Sequence, residues 1–253
     1  MNGSDRFTDS AGTPWAGRHF TPTAFDGDDG SAPPVLLEAL RGFRARRVGA
    51  AAVVDAARGV RLLVPLLAQL GETGIGPTGK QVDKSAELAL VTVAGPDGRR
   101  VLPAFTSVEA MRVWNPSARP VPAESERVAL AAAAEDTDLV VLDAGSETEF
   151  VLRRPAVWAL GRGTRWIPPH EDRELAAEFA ATSADPAVVD VRLVPGDPDS
   201  RLRGPELRVE LRLELGLDRD ALDALLARLG ERWSASTLIA ERVDSLAVTV
   251  LAG

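Results

Sequence analysis

Between Leu88 and Pro122 the chain reads LALVTVAGPDGRRVLPAFTSVEAMRVWNPSARPVP, and this order of apolar runs, turn residues and prolines leaves few ways to fold. Leu88, Leu90, Val91 and Val93 form the β-branched, apolar run of a buried strand. Gly95-Pro96-Asp97-Gly98 is turn chemistry, because proline fixes φ and glycine accepts positive φ without steric cost. Arg99 to Phe105 is then the returning strand of a β-hairpin, and Pro103, which has no N–H, belongs at an edge, a bulge or the strand end. Thr106 and Glu109 stand three apart, the spacing of a capping box, so Thr106 is expected to cap a helix. Val108, Met111 and Trp114 share its apolar face, and Asn115-Pro116 stops it. Two prolines at i and i+2 keep Ala118 to Pro122 extended.

The flanking segments complete an α+β (mixed α/β) reading. Upstream, Val35 to Val48 repeats apolar residues at helical spacing, Ala50 to Arg58 is a second helix, and Val60 to Leu67 is a strand in which Pro65 marks an edge or an end. Downstream, Ser125 to Glu135 is an alanine-rich helix. Leu139 to Leu142 and Glu149 to Leu152 are hairpin partners, and Pro155 opens a short helix closed by Gly161. After a Gly- and Pro-rich junction from Gly161 to Pro169 the order is helix (Glu171 to Ala181), strand (Ala187 to Val194), strand (Glu206 to Leu215), helix (capped by Asp218) and strand (Leu246 to Leu251). Leu207, Val209, Leu211, Leu213 and Leu215 alternate with charged residues, so one face of that strand is buried. The expected organisation is a tail over 1–34, a mixed-sheet module over 35–163, and a smaller αββαβ two-layer sandwich over 164–253. The tail is too rich in Gly, Ser, Thr, Asp and Pro to bury enough apolar surface to order itself.

Composition narrows the chemistry. The 253 residues include no cysteine and two histidines. Disulfides, thiol nucleophiles and Cys-based metal sites are therefore absent, and a reducing compartment fits. A net charge of −8 opposes a phosphate-dominated nucleic-acid role. No apolar run reaches the length of a membrane span, and the start of the chain lacks a signal-peptide layout. A cytoplasmic protein with no membrane partner is the expectation. Gly74 to Lys80 satisfies G-x-G-x-x-G and most of G-x-x-x-x-G-K. A phosphate loop, however, needs a strand directly before it and a helix directly after, and Gln81 stands where a Ser or Thr would touch magnesium. His170, beside Glu171, Asp172 and Glu174, is a helix-start residue, since successive helix positions do not share a face. No cofactor and no metal are indicated.

RLLVPLL (Arg61 to Leu67), DKSAELALVTVAGPDGRRVLPAFTS (Asp83 to Ser107), VWNPSARPVP (Val113 to Pro122) and DLVVLDAGSETEFVLRRPAVWAL (Asp138 to Leu160) resemble, in order and spacing, the N-terminal domain of the SseB family, named for enhanced serine sensitivity in bacteria. The resemblance covers residues 60–160. It implies a small bacterial cytoplasmic α/β module with no established activity and no agreed catalytic residues. The C-terminal part resembles SseB proteins only loosely.

Phe105, Thr106, Ser107, Trp114 and Arg119 are the candidate contact surface, because a tryptophan beside an arginine on a loop is typical of binding hot spots. The competing reading is that Trp114 closes the core and Arg119 pairs with Glu109 or Asp143. The function expected is a non-enzymatic protein-interaction or regulatory module whose partner is another protein. The alternatives are a small-metabolite (amino acid) sensor or enzyme linked to serine metabolism, and an RNA-associated protein acting through Arg41, Arg44, Arg46 and Arg47.

Overall fold

A computed structural model describes residues 25, 27–67, 91–134 and 137–252. The Gly74–Lys80 loop, the start of the expected hairpin at Leu88 and Leu90, and most of the expected tail lie outside the described residues. Of that tail, residues 25 and 27–34 are described. There Asp28 pairs with Arg61 (2.7 Å) and Gly30 O accepts from Val108 N (2.9 Å).

Helix α1 (Pro34–Arg44) starts on a proline, whose missing N–H costs nothing in the first turn, and buries Leu36, Leu40 and Phe43 on one stripe. It ends short of the expected Val48. Arg46 takes a left-handed φ of 58°, and the N–H groups of Arg46 and Arg47 fold back onto Phe43 O (3.0 Å) and Gly42 O (2.8 Å). That closure is usually made by glycine. Helix α2 (Ala50–Ala56) packs beside it.

Strand β1 (Arg61–Leu66) pairs antiparallel with β4 (Arg119–Glu124), so the segment expected only to be extended is a strand. The register shows why it tolerates prolines. Leu63 gives both backbone groups to Phe105 (2.8 Å each), so the opposed pair Leu63–Pro122 is not hydrogen-bonded, and by alternation neither is Pro65–Pro120. All three prolines therefore sit where the β1–β4 ladder needs no donor.

The second sheet has the order β2-β3-β5-β6, with β2 (Val93–Ala94), β3 (Arg100–Ala104), β5 (Val140–Leu142) and β6 (Phe150–Leu152). Because β3 and β5 are parallel and the other pairs antiparallel, the sheet is mixed, as expected. Gly98 supplies the positive φ of 83° in the β2–β3 turn. Leu102 and Ala104 bond toward β5, so Pro103 faces the other side, between the β2 register at Val101 and the Leu63 bridge at Phe105.

Both faces of this sheet are covered. Leu102, Ala104, Val140, Leu142, Phe150 and Leu152 pack on α1, α2, α4 (Ser125–Ala134) and α5 (Arg154–Gly161). Val101, Leu139, Val141 and Val151 pack on Leu202, which comes from the loop after β7, and Ser200 O accepts from Val151 N (2.8 Å).

The C-terminal part runs α6 (Arg173–Thr182), β7 (Val188–Pro195), β8 (Leu207–Leu213), α7 (Arg219–Ala235), α8 (Thr237–Arg242) and β9 (Leu246–Ala252). Its sheet has the order β7-β8-β9, with β9 parallel to β8, so α7 and α8 form the crossover that a parallel connection requires. Helix α8 goes beyond the sequence expectation. Leu207, Val209, Leu211 and Leu213 are buried against Leu175, Phe179, Leu225, Leu229 and Trp233. Leu215 lies past the end of β8, 77% exposed, and does not join that face.

Arginines clasp the two cores together. Arg153, buried, donates to Asp197 Oδ2 (2.7 Å), Gly204 O (2.7 Å), Asp244 Oδ2 (3.2 Å) and Ser245 Oγ (3.2 Å). Arg99 forks onto both oxygens of Asp244 (2.9 and 3.0 Å). Arg154 reaches Ala240 O and Val243 O (2.7 and 2.5 Å), where cations suit the end of α8.

Candidate interaction surface

The expected contact residues lie where β3 leads into α3 (Val108–Trp114) and α3 leads into β4. Phe105 and Thr106 are not on the surface; both are buried. The Phe105 ring packs against Trp114, centroids 5.2 Å apart, over a small core of Leu63 and Met111.

Thr106 does not cap α3. Its N–H donates to Asp143 Oδ1 (2.7 Å) and its hydroxyl to Asp143 Oδ2 (2.8 Å). The cap is Ser107, whose Oγ accepts from Ala110 N (3.1 Å). The T-x-x-E spacing fails because a buried carboxylate must be supplied with donors, and Thr106 is beside it. Asp143 holds a left-handed φ of 48° and also accepts from Thr148 Oγ1 (3.1 Å). Burial pushes its carboxyl above the usual range while the Thr106 and Thr148 hydrogen bonds pull the other way. The sequence offers Asp143 as a partner for Arg119, not for Thr106. Its bond across 37 residues leaves no local signal.

Ser107 and Trp114 are half-buried and Arg119 is exposed. Trp114 packs on the small core of Leu63, Phe105 and Met111, and the neighbouring Val113 is 71% exposed. Asn115 ends the helix and folds the chain over with its Oδ1 on Ser117 N (2.9 Å). Ala118 returns to the same core as Trp114, which sets Arg119 at the start of β4. Asp143 is taken by the two threonines, and among the described residues Arg119 has no ion-pair partner. The surface thus carries an anchored indole, an exposed valine and an arginine on one helix–strand corner.

Residues 36–159 match the family model of the SseB protein N-terminal domain. This stretch is an SseB N-terminal domain. The Trp114–Arg119 corner, the Thr106–Asp143 node and both strands carrying the three prolines therefore lie inside the SseB domain, while Asp197, Leu202 and Asp244, which hold its outer side, come from beyond the matched residues. No curated protein and no solved structure matches the chain.

Other candidate residues have structural occupations. Arg44 donates to Glu149 O and Arg46 to Asp199 Oδ1 and Pro198 O (2.6 Å each), so two of the four clustered arginines are engaged within the chain. His170 lies in a short helical turn, Pro169–Glu171, ahead of α6, whose cap is Asp172. Burial holds its imidazole below the usual range. Among the described residues no three His, Asp or Glu side chains converge to hold a metal ion, and no helix is long and apolar enough to cross a membrane.

Proposed function

We propose that the chain is a non-enzymatic protein-interaction or regulatory module of the bacterial cytoplasm, and that its partner, another protein, is met at the α3–β4 corner. The observation that carries this reading is the state of Trp114. The ring is fixed by Phe105 at 5.2 Å yet remains partly exposed beside Val113 and a cation without a partner among the described residues. A pre-ordered aromatic loses little rotamer freedom on binding, and arginine adds directional hydrogen bonding. The buried polar groups of the domain support the same reading. Asp143 is committed to Thr106 and Thr148, and Arg153 to Asp197 and Asp244, so these groups serve the fold.

The test is a capture experiment with the tagged full chain, W114A, R119A and, as a control on the exposed start of α7, R219A. Each variant is first checked for an unchanged melting profile. W114A and R119A lose the same bound protein, which R219A retains. Identical bound proteins for all four chains would remove the corner from the reading.

A further inference from the structure

Between the two cores lies a cleft of about 400 Å3, within the range of small-molecule sites and at the junction where such sites tend to form. Its apolar wall comes from Phe43, Val48, Phe150, Trp166, Pro168 and Pro195. Two lining residues carry buried polar atoms with no hydrogen-bond partner among the described residues: Trp166 Nε1, a donor, and Glu206 Oε1, an acceptor. Native interiors rarely leave such groups unpaired, and each unpaired group disfavours the empty state. Glu206 is not loose, because its other oxygen accepts from Asp244 N (2.6 Å). Arg153 also lines the cleft, but its guanidinium is consumed by the clasp. Arg47, exposed and also lining the cleft, has no ion-pair partner among the described residues.

We infer that this cleft binds a small organic amine with an apolar, ring-sized body and a carboxylate or similar acceptor group. The ammonium satisfies Glu206 Oε1, the acceptor takes the Trp166 N–H with Arg47 supplying opposite charge, and the ring lies on the apolar wall. A single water occupies only about 30 Å3, and an aromatic and proline-rich wall gives water few partners. Burial pushes the Glu206 carboxyl up to about 7, so an arriving ammonium favours its ionised form and displaces a proton. A neutral hydroxyl donor would not.

Calorimetric titration of the full chain with phenylalanine, 2-phenylethylamine and 3-phenylpropionate tests this. Phenylalanine, which has all three features, binds with a dissociation constant of about 1 mM or below, and the amine-only and acid-only probes bind about tenfold more weakly or worse. The affinity for phenylalanine rises between about pH 6 and 8 as the carboxyl proton becomes easier to displace. E206Q and W166F each weaken it by about tenfold. Should either variant fail to fold, G49L supplies the same test. Gly49 lines the cleft with ordinary extended geometry (φ −82°, ψ 171°), and a Cβ there meets only Glu171 Oε1, at 3.7 Å, so the position accepts a side chain, and a leucine is expected to take up cleft volume. No binding by any probe, binding indifferent to E206Q and G49L alike, or an affinity flat with pH would each overturn the assignment.

Discussion

Thr106 shows where local sequence grammar yields to a distant residue. Its spacing to Glu109 encodes a cap, and the cap forms one residue later, at Ser107, because Asp143 takes the threonine. D143A leaves the Thr106 N–H and two hydroxyls short of an acceptor and places alanine at φ 48°. It is expected to cost about 2–4 kcal/mol. D143N keeps an acceptor and tolerates that backbone, so its cost in urea denaturation is about half or less. Glu206 is a second residue whose behaviour follows from burial. Its carboxyl rises from 4.5 to about 7 in the folded chain, so the native state binds the proton more tightly than the unfolded one. The stabilising contribution is complete below about pH 4.5 and is lost as pH climbs to about 7. Wild type should lose ~3 kcal/mol relative to E206Q over that interval, read from denaturation midpoints at successive pH values. A constant difference would show that Glu206 titrates as an ordinary surface carboxyl.

At the scale of elements, most of the fold was legible. The alternation of β8, the Gly98 turn, the Pro155 helix start and the Asp218 cap were all visible because each depends on residues within a turn of one another. The pairing of β1 with β4 was not. Three prolines argue against a strand pair until the register is known, and the register depends on Phe105 bonding to Leu63. The end of α1 is hidden from local sequence for a similar reason, since arginine is a good helix former and the left-handed turn at Arg46 is held by Asp199 and Pro198 far along the chain. The register makes a sharp prediction. Val121 is opposite Val64 in a hydrogen-bonded pair, so V121P removes a ladder donor and destabilises by at least about 1 kcal/mol. P120A and P122A remove none and should change urea midpoints by much less.

At the scale of the whole molecule, two cores are tied by a few buried ions. Arg153, Asp197 and Asp244 have side chains 6%, 3% and 3% exposed. Removing the cation would strip Asp197 of its ion pair and leave Asp244 to Arg99 alone, and a buried carboxylate without its partner is where such pairs matter most. R153A is therefore expected to lose about 3–5 kcal/mol of stability, measured by chemical denaturation, whereas R99A, acting on a partly exposed fork, loses less. None of this was legible in the sequence. Arg153 reads as one arginine of a pair before a proline, and its acceptors lie 44 and 91 residues away.

The way Leu202 seats on Val101, Leu139, Val141 and Val151 bears on how the gene can be divided for expression. A polypeptide trimmed to residues 36–159, the span of the family match, would carry its helices but would turn an oily wall to the solvent, since the plug that seals it is encoded some forty residues downstream. Such a fragment should light up a hydrophobic dye and sediment as a self-associated species, where the uncut protein does neither. A fragment that stays monomeric and dark would show that this wall needs no seal.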